Sequence, residues 1–328
     1  MINYWQVAAG SAGRDYSDVF IKYGLAFVGD KKQEATMDLV QPGDYMLFKR
    51  GLTEIVAVGE VVVRGGKHRG NGDKKWLQDV DGWDLPAYCF VDWHEPPSPL
   101  PVTGLTRATL QKTWDPIIIA AANTCMKSFP VSPIEPEPKL PDRIDDEQII
   151  EFLVGKGLRI AAAEELTMTF HRIRRLAKYY KENVDWEDVR EHETRTFLIV
   201  PLLLALGWSE QSIKIEQPVE GGRVDLALFN GPYNGDSQSA VVLIESKGFA
   251  QGLYYAPGQV KGYATHVPRC KVIFVSNGYC YKAYEDSGCG FSSEPSAYLN
   301  ILDPRSAYPL NPKIPGTFEL LRLLLKTT

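Results

Sequence analysis

Two short apolar runs joined by a turn-rich loop constrain this chain more than any other feature. Residues Arg223 to Phe229 alternate and are apolar, Asn230 to Asp236 is rich in Asn, Gly, Pro and Asp, and Ala240 to Ile244 is a β-branched run. The pattern predicts a β-hairpin. Side chains alternate along a strand, so Glu245 and Lys247 at the end of the second arm share a face and Ser246 turns away. Asp225 lies on the neighbouring arm, so two carboxylates and an ammonium can converge.

That grouping suits phosphodiester chemistry. Two carboxylates and a backbone carbonyl suffice to hold a hard, oxygen-seeking Mg²⁺ against a phosphate. The ion polarises the phosphoryl oxygen and helps to supply hydroxide, while Lys247 would orient the attacking water or take up developing negative charge. An ordinary ion pair at a strand end uses the same residues, and an isolated E-x-K does not separate the two readings. The flanking segments add information. Upstream, Glu193-x-Arg195 opens an apolar helical run from Phe197 to Leu206 that stops at Gly207. Downstream, Gln259 and Tyr263 stand four apart after Pro257-Gly258, on one face of any helix starting there. A further strand, Lys271 to Val275, ends in Ser276-Asn277-Gly278. The order of elements predicts an α/β sandwich around a mixed sheet.

With these residues in this order, the stretch from about 185 to 305 resembles the PD-(D/E)xK nuclease superfamily. The nearest branch is the nuclease domain of type I restriction motor subunits and RecB-like nucleases. The run from Pro201 to Trp208 is similar to the stretch just after the helix Glu in that group, while Val224 stands where the superfamily name has Pro. The resemblance implies that Asp225, Glu245 and Glu193 hold Mg²⁺, with Mn²⁺ as a substitute. It also implies that Lys247 serves the attacking water and that Gln259 and Tyr263 position the substrate backbone. No Walker A motif is present, so no ATP requirement is expected.

The first hundred-odd residues differ in kind. Ile2 to Gly10, Asp44 to Lys49 and Glu54 to Val63 read as short strands between Gly and Pro turns, which predicts a small barrel or curled sheet. An N-terminal Tyr-Trp strand, the turn Gln41-Pro42-Gly43-Asp44 and the strand from Ile55 to Val62 resemble the PUA-like superfamily, with its EVE, ASCH and YTH branches. That resemblance implies a pocket walled by aromatics that accepts a flipped, modified base, cytosine foremost. Stacking a base on an aromatic ring is worth about 1–3 kcal/mol, against a flipping cost of a few. Candidate pocket residues are Tyr4, Trp5, Phe27, Trp76, Trp83 and Trp93, with Asp30 as partner for an exocyclic amine. The same aromatics also suit a barrel core.

Cations that would meet DNA phosphates are Arg64, Lys67, Arg69, Lys74 and Lys75, in a Gly-rich loop that ends at Trp76. Arg172 and Arg175 lie on a basic helical face that also suits a solvated bundle. A helix is expected over Arg107 to Lys127, and five prolines between Pro130 and Pro141 mark a semi-rigid linker. The expected division is a base-reading domain over 1–129, a linker over 130–144, a helical connector over 145–184 and a nuclease domain over 185–328. The expected class is α+β and α/β.

Net charge is −5, which argues against indiscriminate tight binding to nucleic acid but allows local basic patches. The five cysteines form no CxxC pair, so a structural zinc site is not expected. Without a signal peptide or an apolar run near eighteen residues, the chain reads as cytoplasmic with no membrane partner. The composite expectation is a modification-dependent DNA endonuclease of restriction and phage defence, acting on double-stranded DNA as a homodimer. Two alternatives stay open: a nuclease whose first domain reads sequence or RNA, and a noncatalytic nucleic-acid-binding protein.

Overall fold

The computed structural model describes residues 2–10, 13–183, 185 and 188–326. The chain divides between Lys139 and Leu140 into two compact units, each built on its own sheet. The class is α+β. Among the described residues no helix is long and apolar enough to cross a membrane.

The first unit runs β1 (Tyr4–Ala8), α1 (Ser17–Tyr23), β2 (Leu25–Val28), α2 (Lys31–Met37), β3 (Tyr45–Arg50), β4 (Glu54–Val61), β5 (Arg69–Asn71), β6 (Ala87–His94), β7 (Leu100–Pro101), β8 (Leu110–Thr113) and α3 (Pro116–Ser128). The sheet order is β2-β6-β4-β3-β1-β8, with β5 added to β6 and β7 to β4. β1 and β3 are parallel and the other pairs antiparallel. The path stays open, since β2 and β8 end it without pairing to each other. Helix α2 packs on both end strands, and its Gln33 side chain accepts the Leu110 N–H at 2.9 Å, satisfying a donor on an edge strand. Of the small barrel or curled sheet expected, the chain forms the curled sheet.

Met46, Leu47 and Phe48 of β3 are all buried, because both faces of the sheet are covered. Leu47 joins Ile55 and Val58 beneath Ile118, Ala122 and Cys125 of α3. Phe48 meets the rings of Phe20 and Trp93, 5.2 and 6.0 Å away. The helix expected from Arg107 begins only at Pro116, where the Asp115 carboxylate accepts the Ile117 N–H at 2.8 Å. Residues 110–113 pair with β1 instead, so sheet contacts override local helical preference. The proline-rich stretch is strapped down: Ser132 N–H donates to Trp93 O at 2.7 Å and Glu135 N–H to Lys22 O at 2.8 Å, while Ile144 N–H donates to Pro304 O at 2.9 Å.

The second unit runs α4 (Asp146–Gly155), α5 (Ile160–Asn183), α6 (Glu191–Thr194), α7 (Val200–Ala205), β9 (Ile213–Val219), β10 (Gly222–Leu228), β11 (Val242–Ser246), α8 (Ala256–Ala264), β12 (Val272–Ser276), β13 (Cys280–Glu285), β14 (Ala297–Asn300), β15 (Ala307–Tyr308), β16 (Asn311–Pro315) and α9 (Thr317–Leu324). Its six-stranded sheet has the order β14-β13-β12-β11-β10-β9, mixed because β11 and β12 run parallel. β15 and β16 form a separate ribbon. The hairpin read from sequence is β10 and β11, in register Leu226 opposite Ile244.

Helices α4 and α5 place Ile149, Leu153, Leu166, Phe170 and Ile173 in the same core as these strands. They are therefore a layer of the second unit; Val184, where the expected connector ends, lies outside the described residues. Arg174 locks the layer, with both terminal nitrogens on Asp146 at 2.7 and 2.8 Å and Nε on Ile301 O at 2.7 Å.

Between α6 and α7 the helix widens into a π turn, Arg195–Ile199, closed by Val200 N–H donating to Arg195 O. Pro201 comes next; it has no N–H to continue the regular ladder, and the wide turn absorbs that gap. Gly207, at φ 92°, ends the helix as expected. Gly278, also at φ 92°, lets the β12–β13 turn lie against this helix, since a Cβ there would stand 2.5 Å from Leu198 Cδ1 and 2.9 Å from Thr194 Cγ2. Gly278→Ala is expected to cost roughly 2–4 kcal/mol through backbone strain and overpacking. Urea denaturation of the variant beside the parent measures this.

Candidate active site

The hairpin register sets Asp225 level with Glu245 once the pairing is continued by one residue beyond Leu226 and Ile244. Asp225 Oδ2 accepts from Ser246 N–H at 2.7 Å and from Ser246 Oγ at 2.8 Å. Strand alternation alone turns Ser246 away from the acidic groups; as the last residue of β11 it instead binds one of them. Glu245 is only 2% exposed. Its Oε1 accepts from Lys247 Nζ at 2.6 Å, and its Oε2 is buried with no hydrogen-bond partner. Burial pushes the Glu245 carboxyl up to about 7, with the charges of Asp225 and Glu191 adding to the effect and Lys247 opposing it.

The helix carboxylate of this group is Glu191. Burial raises its pKa, the Asp225 charge raises it further, and Lys247 and Arg195 pull the other way. Glu193, the residue expected from the motif, stands instead beside Tyr180, where it adds to a rise in phenol pKa caused first by burial. A step of two residues turns about 200° around a helix, so the two carboxylates cannot serve the same side.

Two further residues of the site lie outside the set expected from the sequence. Arg195, 3% exposed, lies 3.6 Å from Glu191, 3.6 Å from Glu216 and 3.7 Å from Asp225. Glu216 sits across from Asp225, since Val224 pairs with Gln217 and Leu226 with Ile215, and it holds φ 51° within a strand. The four-residue spacing from Glu191 to Arg195 is a legible signal; the position of Glu216 requires the β9 register.

Gln259 and Tyr263 do share a face of α8, with Gln259 Nε2 3.4 Å from the Tyr263 hydroxyl. Tyr263 lies over the start of β10, where a Cβ on Gly222 would stand 2.9 Å from its ring. That is three residues, or about 10 Å of strand, before Asp225.

Among the described residues, no three His, Cys, Asp or Glu side chains converge tightly enough to form a ready cation cage. Mg²⁺ does not require one, because it keeps several waters and takes one or two carboxylates from the protein. The donor set fits. Protein donors hold one oxygen of Asp225 and one of Glu245, while the buried Glu245 Oε2 has no other partner. A buried carboxylate oxygen with no donor is unfavourable until a proton or a cation reaches it.

In the first unit, Phe27, Asp30 and Trp83 meet at one cavity of about 90 Å³, together with Arg14, Tyr16 and Thr109. The Arg14 guanidinium lies 3.4 Å from the centre of the Trp83 ring. Asp30, at φ 71°, also caps α2 through Gln33 N–H at 2.9 Å. The remaining pocket candidates lie elsewhere. Trp5 donates to Asp44 at 2.9 Å, Trp76 to Glu137 at 3.0 Å, Trp93 to Leu25 O at 3.2 Å and Tyr4 to Asn123 at 3.0 Å. The three indoles are buried with their N–H groups satisfied, which fits rings of the core.

The basic loop is paired mostly with residues outside it, in the same unit. Arg64 binds the carbonyls of Gly24 and Val91, both at 3.0 Å, and the Asp92 carboxylate. Lys67 pairs with Asp73, Arg69 with Asp38 and Lys74 with Glu137. Lys75 is exposed. Arg172 and Arg175 are also exposed and line a shallow concavity of about 780 Å³ along α5, beside Met168 and Tyr179.

No family model matches this chain, and no curated protein does. The protein Atu2648 from Agrobacterium tumefaciens, a crystal structure, is similar at 18% identity, over 40% of this chain and 99% of that one, with a TM-score of 0.25. At that score the likeness carries no argument.

The raised Glu245 carboxyl has a consequence for stability. A folded-state pKa above the usual 4.5 makes the folded protein bind the proton more tightly, so this stabilisation is complete below 4.5 and is lost as pH rises through about 7. The loss for cation-free protein is on the order of 3 kcal/mol. Glu245→Gln is expected to flatten the profile. Denaturant titrations of chelator-treated parent and variant at pH 5, 6, 7 and 8 check it; equal slopes would contradict the assignment.

Proposed function

We propose that this chain is a Mg²⁺-dependent DNA endonuclease whose first unit recognises a modified base. The observation that carries the reading is the buried, unpartnered Glu245 Oε2 beside Asp225, Glu191 and Lys247 at the end of a hairpin in a mixed sheet. Asp225 and Glu245 would hold the ion, with Glu191 reaching it directly or through one of its waters and Mn²⁺ as a substitute. When bound, the ion supplies Lewis-acid charge to the scissile phosphate.

The chain's own groups do the rest. Lys247, partly exposed and held by Glu245, orients the attacking water and offsets charge that develops on the phosphate. Gln259 and Tyr263, a turn apart on α8, position the substrate backbone. Exposed Arg172, Arg175 and Lys75 supply contacts to phosphates. In the first unit the cavity with Trp83, Phe27 and Asp30 offers rings for stacking and a carboxylate for an exocyclic amine, the features a flipped, modified base, cytosine foremost, would use. Cutting both strands takes two sites, so a homodimer assembles on DNA.

Purified protein with Mg²⁺ is expected to cut DNA that carries a modified cytosine and to spare the unmodified match, with Lys247→Ala inactive. Equal cutting of both would remove the base reader and keep the nuclease; no cutting of any modified substrate would favour a noncatalytic binding protein. In the same assay, Glu191→Gln is expected to lose roughly 100-fold or more in rate, about 2.7 kcal/mol or more of lost stabilisation. Glu193→Gln should stay within about threefold of the parent. The reverse ranking would place the helix ligand at Glu193.

A further inference from the structure

Arg195 is buried among carboxylates from three different elements. Its Nη2 lies 3.6 Å from Glu191 in α6, and its Nη1 lies 3.6 Å from Glu216 in β9 and 3.7 Å from Asp225 in β10. Nη1 also donates to the Asp225 carbonyl at 3.4 Å, and His192 Nδ1 is 3.3 Å from Nη2. Nε is buried without a partner. A guanidinium cannot shed its charge. Burying one with incomplete hydrogen bonding is unfavourable, so packing does not account for it. Both of its backbone surroundings are also irregular. The π turn starts at Arg195 itself, and Glu216 holds a left-handed φ of 51° in mid-strand. Non-glycine residues in such conformations gather where side-chain placement matters more than local comfort.

We infer that Arg195 is a positioning residue of the carboxylate site: its buried fork ties Glu191, Asp225 and Glu216 to one point, so that the acidic groups stand ready for a divalent cation. The inference rests on the reading of these carboxylates as a cation site. Glu216 acts through Arg195, as the third arm of the clamp. With the guanidinium gone, Glu191 and Asp225 lose their shared counter-charge, Asp225 keeps its Ser246 donors, and Glu216 keeps Arg223, at 2.9 Å on its other oxygen. Two effects of Arg195 on cation affinity have opposite signs. As a nearby positive charge it would weaken binding, and as a clamp it strengthens binding by holding the ligands. One guanidinium lies within 3.7 Å of anions on three separate elements, so we take the clamp as the larger effect, and Mn²⁺ affinity reads the sign directly.

The test is Mn²⁺ binding by the full chain, measured by calorimetry for the parent, Arg195→Met and Arg195→Lys, with circular dichroism and thermal melting to confirm folding. The clamp predicts that Arg195→Met binds Mn²⁺ about 10-fold or more weakly, the usual effect of losing a group that orients a ligand. Arg195→Lys, which keeps the charge and loses the fork, should fall between the two. In DNA cleavage at saturating Mn²⁺, kcat should drop while KM for DNA changes little. A folded Arg195→Met that binds Mn²⁺ as tightly as the parent, or more tightly, would overturn the inference and leave the cation site standing. If Arg195→Met does not fold, Arg195→Lys decides: unchanged affinity overturns the clamp, and weakened affinity supports it. A parent protein that binds no Mn²⁺ would remove the cation site and the clamp together.

Discussion

Glu245 is a carboxylate at the end of an interior strand, 2% exposed, with one oxygen on Lys247 and the other without a donor. Desolvating that group is unfavourable, and everything around it bears on that cost. Lys247 closes one side. Asp225 is drawn toward Ser246 and away from direct collision. Glu191 and Arg195, one helical turn apart, bring a further acid and a fixed cation from the helix. The sheet makes this possible: β11 has neighbours on both sides, β10 antiparallel and β12 parallel, so its terminus is held rigidly and screened from water. A chain selected for stability alone would place an apolar residue there.

Cationic residues behave differently in the two units. In the first, four of the five positive residues of the Gly-rich loop are satisfied by acids or carbonyls of the same unit, so they fix the loop instead of offering free charge. In the second, Arg172 and Arg175 stand out from α5 on the side away from its apolar stripe, while Arg174, between them in sequence, is committed to Asp146. With a net charge of −5 for the chain, positive surface charge of this kind is local.

The legible parts of the sequence are those governed by short-range rules. The period-2 alternation of β10, the β-branched run of β11 and the turn between them specify the hairpin, and with it Asp225, Glu245 and Lys247 side by side. Helical spacing specifies Gln259 and Tyr263. The illegible parts depend on rotation or on partners distant in the chain. Glu191 and Glu193 differ in composition by nothing, and only the helix phase separates them. Glu216 becomes part of the site through the β9–β10 register. Seven pocket candidates look equivalent in sequence, yet only Phe27, Asp30 and Trp83 meet at one cavity, because Trp5, Trp76 and Trp93 find their acceptors at Asp44, Glu137 and Leu25. The partners of the basic loop are likewise far away, at Asp38, Asp92 and Glu137. The late start of α3 reflects the pairing of residues 110–113 with β1, a contact more than a hundred residues long in sequence.

A crystal grown or soaked with Mn²⁺ and measured for anomalous scattering should show a Mn²⁺ peak beside Asp225, Glu245 and Glu191, in contact with Glu245 Oε2, with Glu193 remaining beside Tyr180. No peak at these carboxylates at saturating Mn²⁺, or a peak ligated by Glu193 in place of Glu191, would contradict it.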